Sequence, residues 1–177
     1  MAVKSNSELA AFFQTGDQPS QTEFGHLIDT IQPSIVYLSD ANDSLTAAEH
    51  GFRTCIMPDI EGSNKTLTLP TSFSADSVWF HLLYFGDLSD ADSHNWIIET
   101  GTANTHFFHG AIFHHDTDAD SSGGALNVIA HGNGSSNDVI SLTTGYCADI
   151  WIHARSTTVW NVWGHSAGAT PITIADS

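Results

Sequence analysis

The chain of 177 residues is 41% hydrophobic, enough for one core and one domain of ordinary size. Twenty acidic residues face four basic ones (Lys4, Arg53, Lys65 and Arg155), and the formal charge of −16 argues against nucleic acid and anionic membranes as partners, since both are held by cationic side chains. Only 14% of residues are charged, so the polar surface must come mainly from Ser, Thr, Asn and His, a habit of strands rather than helices.

The first fourteen residues, MAVKSNSELAAFFQ, carry no apolar run of signal-peptide length, and no stretch of eighteen apolar residues follows. This predicts a protein made in the cytosol without a membrane span. Residues 1–33 read as an arm and one short helix. Ser20 is a good N-cap and Glu23, three residues later, completes a capping box; Phe24, Leu27, Ile28 and Ile31 then recur at helical spacing until Pro33. A helix this short is marginal alone, so it either docks on its own domain or meets another chain. Phe12, Phe13, Phe24, Leu27 and Ile28 are the expected partner contacts. The competing reading has them cover an open end of the following domain.

From Ser34 the periodicity becomes that of strands. Candidates are SIVYLS (34–39), RTCIMP (53–58), KTLTLP (65–70), VWFHLLYF (78–85) and NWIIET (95–100), followed by HFFHGAIFHH, ALNVIA, NDVISL, ADIWIHA and TVWNVWGH. Short strands at near-regular spacing predict an all-β domain over 34–177, an antiparallel β-sandwich or jelly roll, with a barrel as the alternative. The last two candidates read as a hairpin turning near Ser156 and Thr157.

Between Thr105 and Asp120 lie four histidines and three alternating aspartates. In a regular strand His106 and His114 project opposite to His109 and His115, unless Gly110 inserts a bulge. No three of the four then share a face, and a zinc centre would need ligands from other strands. HExxH and HxE/PCxxC patterns are missing, so the histidines read as packing or surface groups. Asp116, Asp118 and Asp120 have the spacing of the first three ligands of a calcium loop. Ser121 and Asn127 stand where such a loop needs Gly and Glu, and a solvated turn competes with Ca²⁺. No cofactor is expected. Cys55 and Cys147 read as two free thiols. No GxSxG elbow and no lysine-bearing phosphate loop occurs, so hydrolase and nucleotide chemistry find no motif.

Several segments together resemble a known family. SLTAAEHGFRTCIMPDIEGSNKTLTLP (44–70) is similar to the "LTAADSGKT…TITLP" opening of small tailed-phage virion proteins. IIETGTANTHFFHGAIFHHD and HGNGSSNDVISL resemble that family's later strands, and ADIWIHARSTTVWNVWG its closing "VELVSDGTxWYVxG" hairpin. TGDQPSQTEFGHLIDTI looks like the leader "TGDKPTxxQFxxLIDS" found before phage structural domains. The chain departs from the pattern with Arg-Ser-Thr-Thr in the final turn and with its richness in histidine. The resemblance implies a non-enzymatic β-sandwich in the virion, a homotrimeric decoration or cement protein that binds the major capsid protein on the capsid surface. The alternative it leaves open is a head- or tail-fibre adhesion module that binds a host glycan or receptor.

Overall fold

The helix predicted after Ser20 forms as α1 (Gln21–Ile31). The Ser20 amide donates to Glu23 Oε2 at 2.6 Å and the Glu23 amide to Ser20 Oγ at 3.3 Å, so two backbone donors at the helix start are satisfied reciprocally. The Ser20 backbone donor, and after it the Ser20 hydroxyl, hold the Glu23 carboxyl below its ordinary value. The computed structural model describes residues 11–12, 18–31, 35–86, 94–117, 127–143 and 145–177.

The rest is β: β1 (Ile35–Tyr37), β2 (Asp43–Ser44), β3 (Thr54–Met57), β4 (Lys65–Thr68), β5 (Trp79–Phe85), β6 (Asn95–Glu99), β7 (Phe107–Asp116), β8 (Asn127–Asn133), β9 (Val139–Thr143), β10 (Gly145–Ala154), β11 (Val159–Gly168) and β12 (Thr173–Ala175). Every strand predicted from the alternation is present. β2 and β12, two and three residues long, were not predicted.

The strands form a seven-stranded sheet in the order β1-β3-β5-β10-β11-β7-β8 and a five-stranded sheet in the order β12-β9-β6-β4-β2. The predicted antiparallel arrangement is corrected here, because both sheets are mixed. β1–β3, β3–β5, β2–β4, β4–β6 and β7–β11 pair in parallel. From β1 to β6 the chain alternates between the sheets, so neighbours within one sheet are two strands apart in sequence and run the same way. Parallel neighbours need a long crossover, usually a helix; here a strand of the opposite sheet supplies it. The predicted terminal hairpin does form, β10 pairing antiparallel with β11.

Inward residues of both sheets meet in one hydrophobic cluster that includes Phe80, Phe108 and Trp160 from one side and Leu67, Trp96 and Leu142 from the other. Trp96 satisfies its indole by donating to the Pro58 carbonyl at 3.0 Å. The ladder from Phe107 to Asp116 against β11 is unbroken, so Gly110 makes no bulge. Its role is clearance: φ is 133° and a Cβ there would lie 1.9 Å from the Val162 carbonyl oxygen. Buried Asp138 ties down two surface segments, accepting from the Asn104 amide at 3.1 Å and the Ser177 amide at 2.8 Å.

Candidate interaction face

Alternation along each strand sends one set of side chains into the core and the other outward. On the seven-stranded sheet the outward set mixes histidines and other polar side chains with large aromatic and aliphatic ones. One register row runs Ile35, Thr54, His81, Trp151, Trp163, Ala111 and His131 across all seven strands. The next row carries Tyr37, Leu83, Asp149, His165, Phe113 and Ile129. Of the eight exposed large hydrophobic residues among those described, six lie on this face: Ile35, Tyr37, Phe85, Phe113, Ile129 and Trp163. The other two are Phe24 and Ile28 on α1.

The rings form a cross-strand ladder. His81 stacks on Trp151 with centroids 4.0 Å apart and planes 12° from parallel, and Trp151 stacks on Trp163 at 6.1 Å and 6°. Trp79 leans on Trp151 at 5.2 Å, and Phe113 stacks with His165 at 5.7 Å. The ladder leaves Trp163 47% exposed at its end, above the small residue Ala111.

Polar contacts fix several rings. The His81 Nε2–H donates to Asp149 Oδ1 at 2.9 Å and the Thr54 hydroxyl lies 3.0 Å from Nδ1. A hydroxyl, an imidazole and a carboxylate in line resemble a nucleophile with its base and orienting acid. The amides of β3 around Thr54 are engaged in ladders with β1 and β5, however, and Trp151 covers the imidazole, so among the described residues no backbone donors converge there to hold an oxyanion. The line orients the His81 ring within the ladder. Arg155 Nη1 donates to His109 Nδ1 at 2.9 Å, and His153 Nε2 lies 3.3 Å from Asp76 Oδ1.

At one end of the face lies an open depression of about 550 Å³, lined by Phe85, Phe113, His115, His165, Cys147 and Ala167 among others. Cys147 is exposed here, whereas Cys55 is buried and desolvation pushes its thiol up to about 12.

The histidines of 106–115 divide as strand parity requires. His109 and His115 are exposed, while His106 and His114 are buried. His114 Nε2–H donates to the Gly168 carbonyl at 3.2 Å, so in the neutral ring Nδ1 accepts from the Ser166 hydroxyl at 2.9 Å. Burial lowers the pKa of His114, partly opposed by the Gly168 carbonyl and Asp116, and burial alone lowers that of His106.

The residues singled out by sequence are only partly described. Phe12 is half-buried and Phe13 lies outside the described residues. Phe24 and Ile28 are 47% and 54% exposed and Leu27 is half-buried, on a helix that makes no extensive contact with any strand. Asp116 closes β7, half-buried, while Asp118 and Asp120 lie outside the described residues. Among the described residues no three His, Cys, Asp or Glu side chains converge as a metal ion requires. The outward aromatic face was not singled out from sequence, although the signal was there: β5, β10 and β11 carry large residues at both parities, as strands covered on both faces do. Compared with protein-family models, curated proteins and solved structures, the chain matches none.

Proposed function

We propose that this protein is a non-enzymatic structural component of a tailed-phage virion, a decoration or cement protein bound to the outer surface of the capsid. In this reading residues 34–177 form a β-sandwich, the two sheets packed face to face over their shared core, with parallel ladders that set it apart from an antiparallel jelly roll. Residues 1–33 reach the major capsid protein through Phe12, Phe13, Phe24, Leu27 and Ile28. The observation that carries the reading is the order of the family-like segments along one chain: the capped helix of the leader, the LTAA-like stretch over β2 to β4, and the closing β10–β11 hairpin.

Such a protein acts by mass action. Each interface it buries between capsomers stabilises the assembled shell over its parts, and a homotrimer multiplies weak single contacts by avidity. A second reading, a fibre module that binds a host glycan, is favoured by the aromatic outward face, since rings with polar edges suit sugars. Copy number and position in purified virions, read by quantitative gel and antibody-labelled electron microscopy, separate the two. Dense labelling over the whole head fits decoration, sparse labelling at the tail fits adhesion, and absence from the particle defeats both. Full-length protein should bind capsids and a variant lacking residues 1–32 should not; equal binding by both would remove the arm from the account.

A further inference from the structure

A face with six exposed large hydrophobic side chains is the kind of surface that marks a contact, and its charge bears on the partner. Within the strands Asp149 is the only carboxylate among the described outward side chains of the seven-stranded sheet, held by His81, and no Lys or Arg projects from them; from the adjoining loops Asp76 reaches His153 and Arg155 reaches His109, so the charges on this face are few and of both signs. A basic partner would find few carboxylates there, although the chain as a whole carries a formal charge of −16. A neutral window is what a strongly acidic molecule needs in order to approach another acidic molecule. The face also holds both halves of a contact. Trp163 projects from it, and the depression floored by Cys147 and Ala167 opens a few residues further along the same strand, β11. A surface that carries a knob and a hole together is suited to meeting its own copy. Its size fits as well: five strands of seven to ten residues, at about 4.8 Å between strands and about 3.3 Å per residue, give roughly 700 Å², close to the ~800 Å² each partner contributes to a standard interface.

We propose that the outer face of the seven-stranded sheet is the contact between two copies of this chain, Trp163 of each entering the depression beside Cys147 and Ala167 of the other. The inference does not depend on the virion reading. Because each copy gives its Trp163 to the other, the contact is isologous and closes as a dimer.

Cys147 makes the contact measurable, because buried Cys55 with its raised pKa stays silent toward a thiol reagent. Full-length protein should sediment as an oligomer at high-micromolar concentration, with Cys147 labelling slowed roughly tenfold relative to dilute protein, as a tenfold fall in free face implies. Trp163→Glu and, separately, Phe113→Glu should return the chain to monomer and restore fast labelling at every concentration. Unchanged circular dichroism and a cooperative melt show that each variant folds. A monomeric full-length protein would overturn the proposal, and so would an oligomer whose mass and Cys147 labelling ignore both substitutions.

Discussion

The two sheets share one core yet turn different outer faces to their surroundings. The five-stranded sheet presents Thr66, Ile97, Ser141 and Thr173 in one register row and Ser44, Thr68, Glu99, Val139 and Ala175 in the next, with no exposed large hydrophobic residue among those described. The seven-stranded sheet presents a ladder of Trp and His and six exposed apolar side chains. Both satisfy the same backbone and bury the same kind of interior. The difference lies only in the residues of outward parity, which folding leaves nearly free to vary. Those residues are where function is written on a β scaffold.

The inward sides should be equally intolerant. Phe80→Ala in the seven-stranded sheet should cost about 3–5 kcal/mol and Leu142→Ala in the five-stranded sheet about 2–5 kcal/mol, read by denaturant unfolding. A small loss in one sheet alone would break the claim of a shared core. Asp138→Ala should come next, at about 1–3 kcal/mol, because it removes the buried acceptor that holds the part-buried amides of Asn104 and Ser177. Outward, Trp163→Ala should cost a monomer about 0.5–1.5 kcal/mol through its stack on Trp151, while Thr173→Ala stays within about 0.5 kcal/mol. Equal outward effects would erase the asymmetry between the faces.

The buried histidines give a pH dependence that belongs to the interior alone. His106 and His114 have folded pKa values below their ordinary 6.5, so the unfolded chain takes up protons first as pH falls through that value. The stability they leave intact above pH 6.5 is lost as the solution is acidified toward the depressed folded pKa. Melts of the native chain should therefore shift downward between neutral pH and pH 5, and His114→Gln should flatten the slope. A slope unchanged in that variant would mean that other groups set it.

How much of this could be read in advance follows from what leaves a local trace. Ten of the twelve strands among the described residues were legible because alternation and flanking turn residues act within a few positions, and Ser20 with Glu23 fixed the start of α1 for the same reason. Strand direction was not legible. Whether β3 meets β1 in parallel depends on where β2 goes between them, a crossover that no periodicity records. The parity of His109 against His114 could be counted along one strand, whereas the stack of His81 on Trp151 joins residues far apart in sequence through the β5–β10 register. VWFHLLYF carries large residues at both parities; one of its faces lies in the core and the other belongs to the outward face of the seven-stranded sheet.

The measurement that bears most directly on the asymmetry is hydroxyl-radical footprinting of the full-length protein over a range of concentrations, with side-chain oxidation resolved by mass spectrometry. If the seven-stranded face is covered in association, Trp163 and Phe113 will lose reactivity as concentration rises, while Ile97 on the opposite sheet keeps its rate. Constant rates for all three at every concentration would contradict a contact through that face.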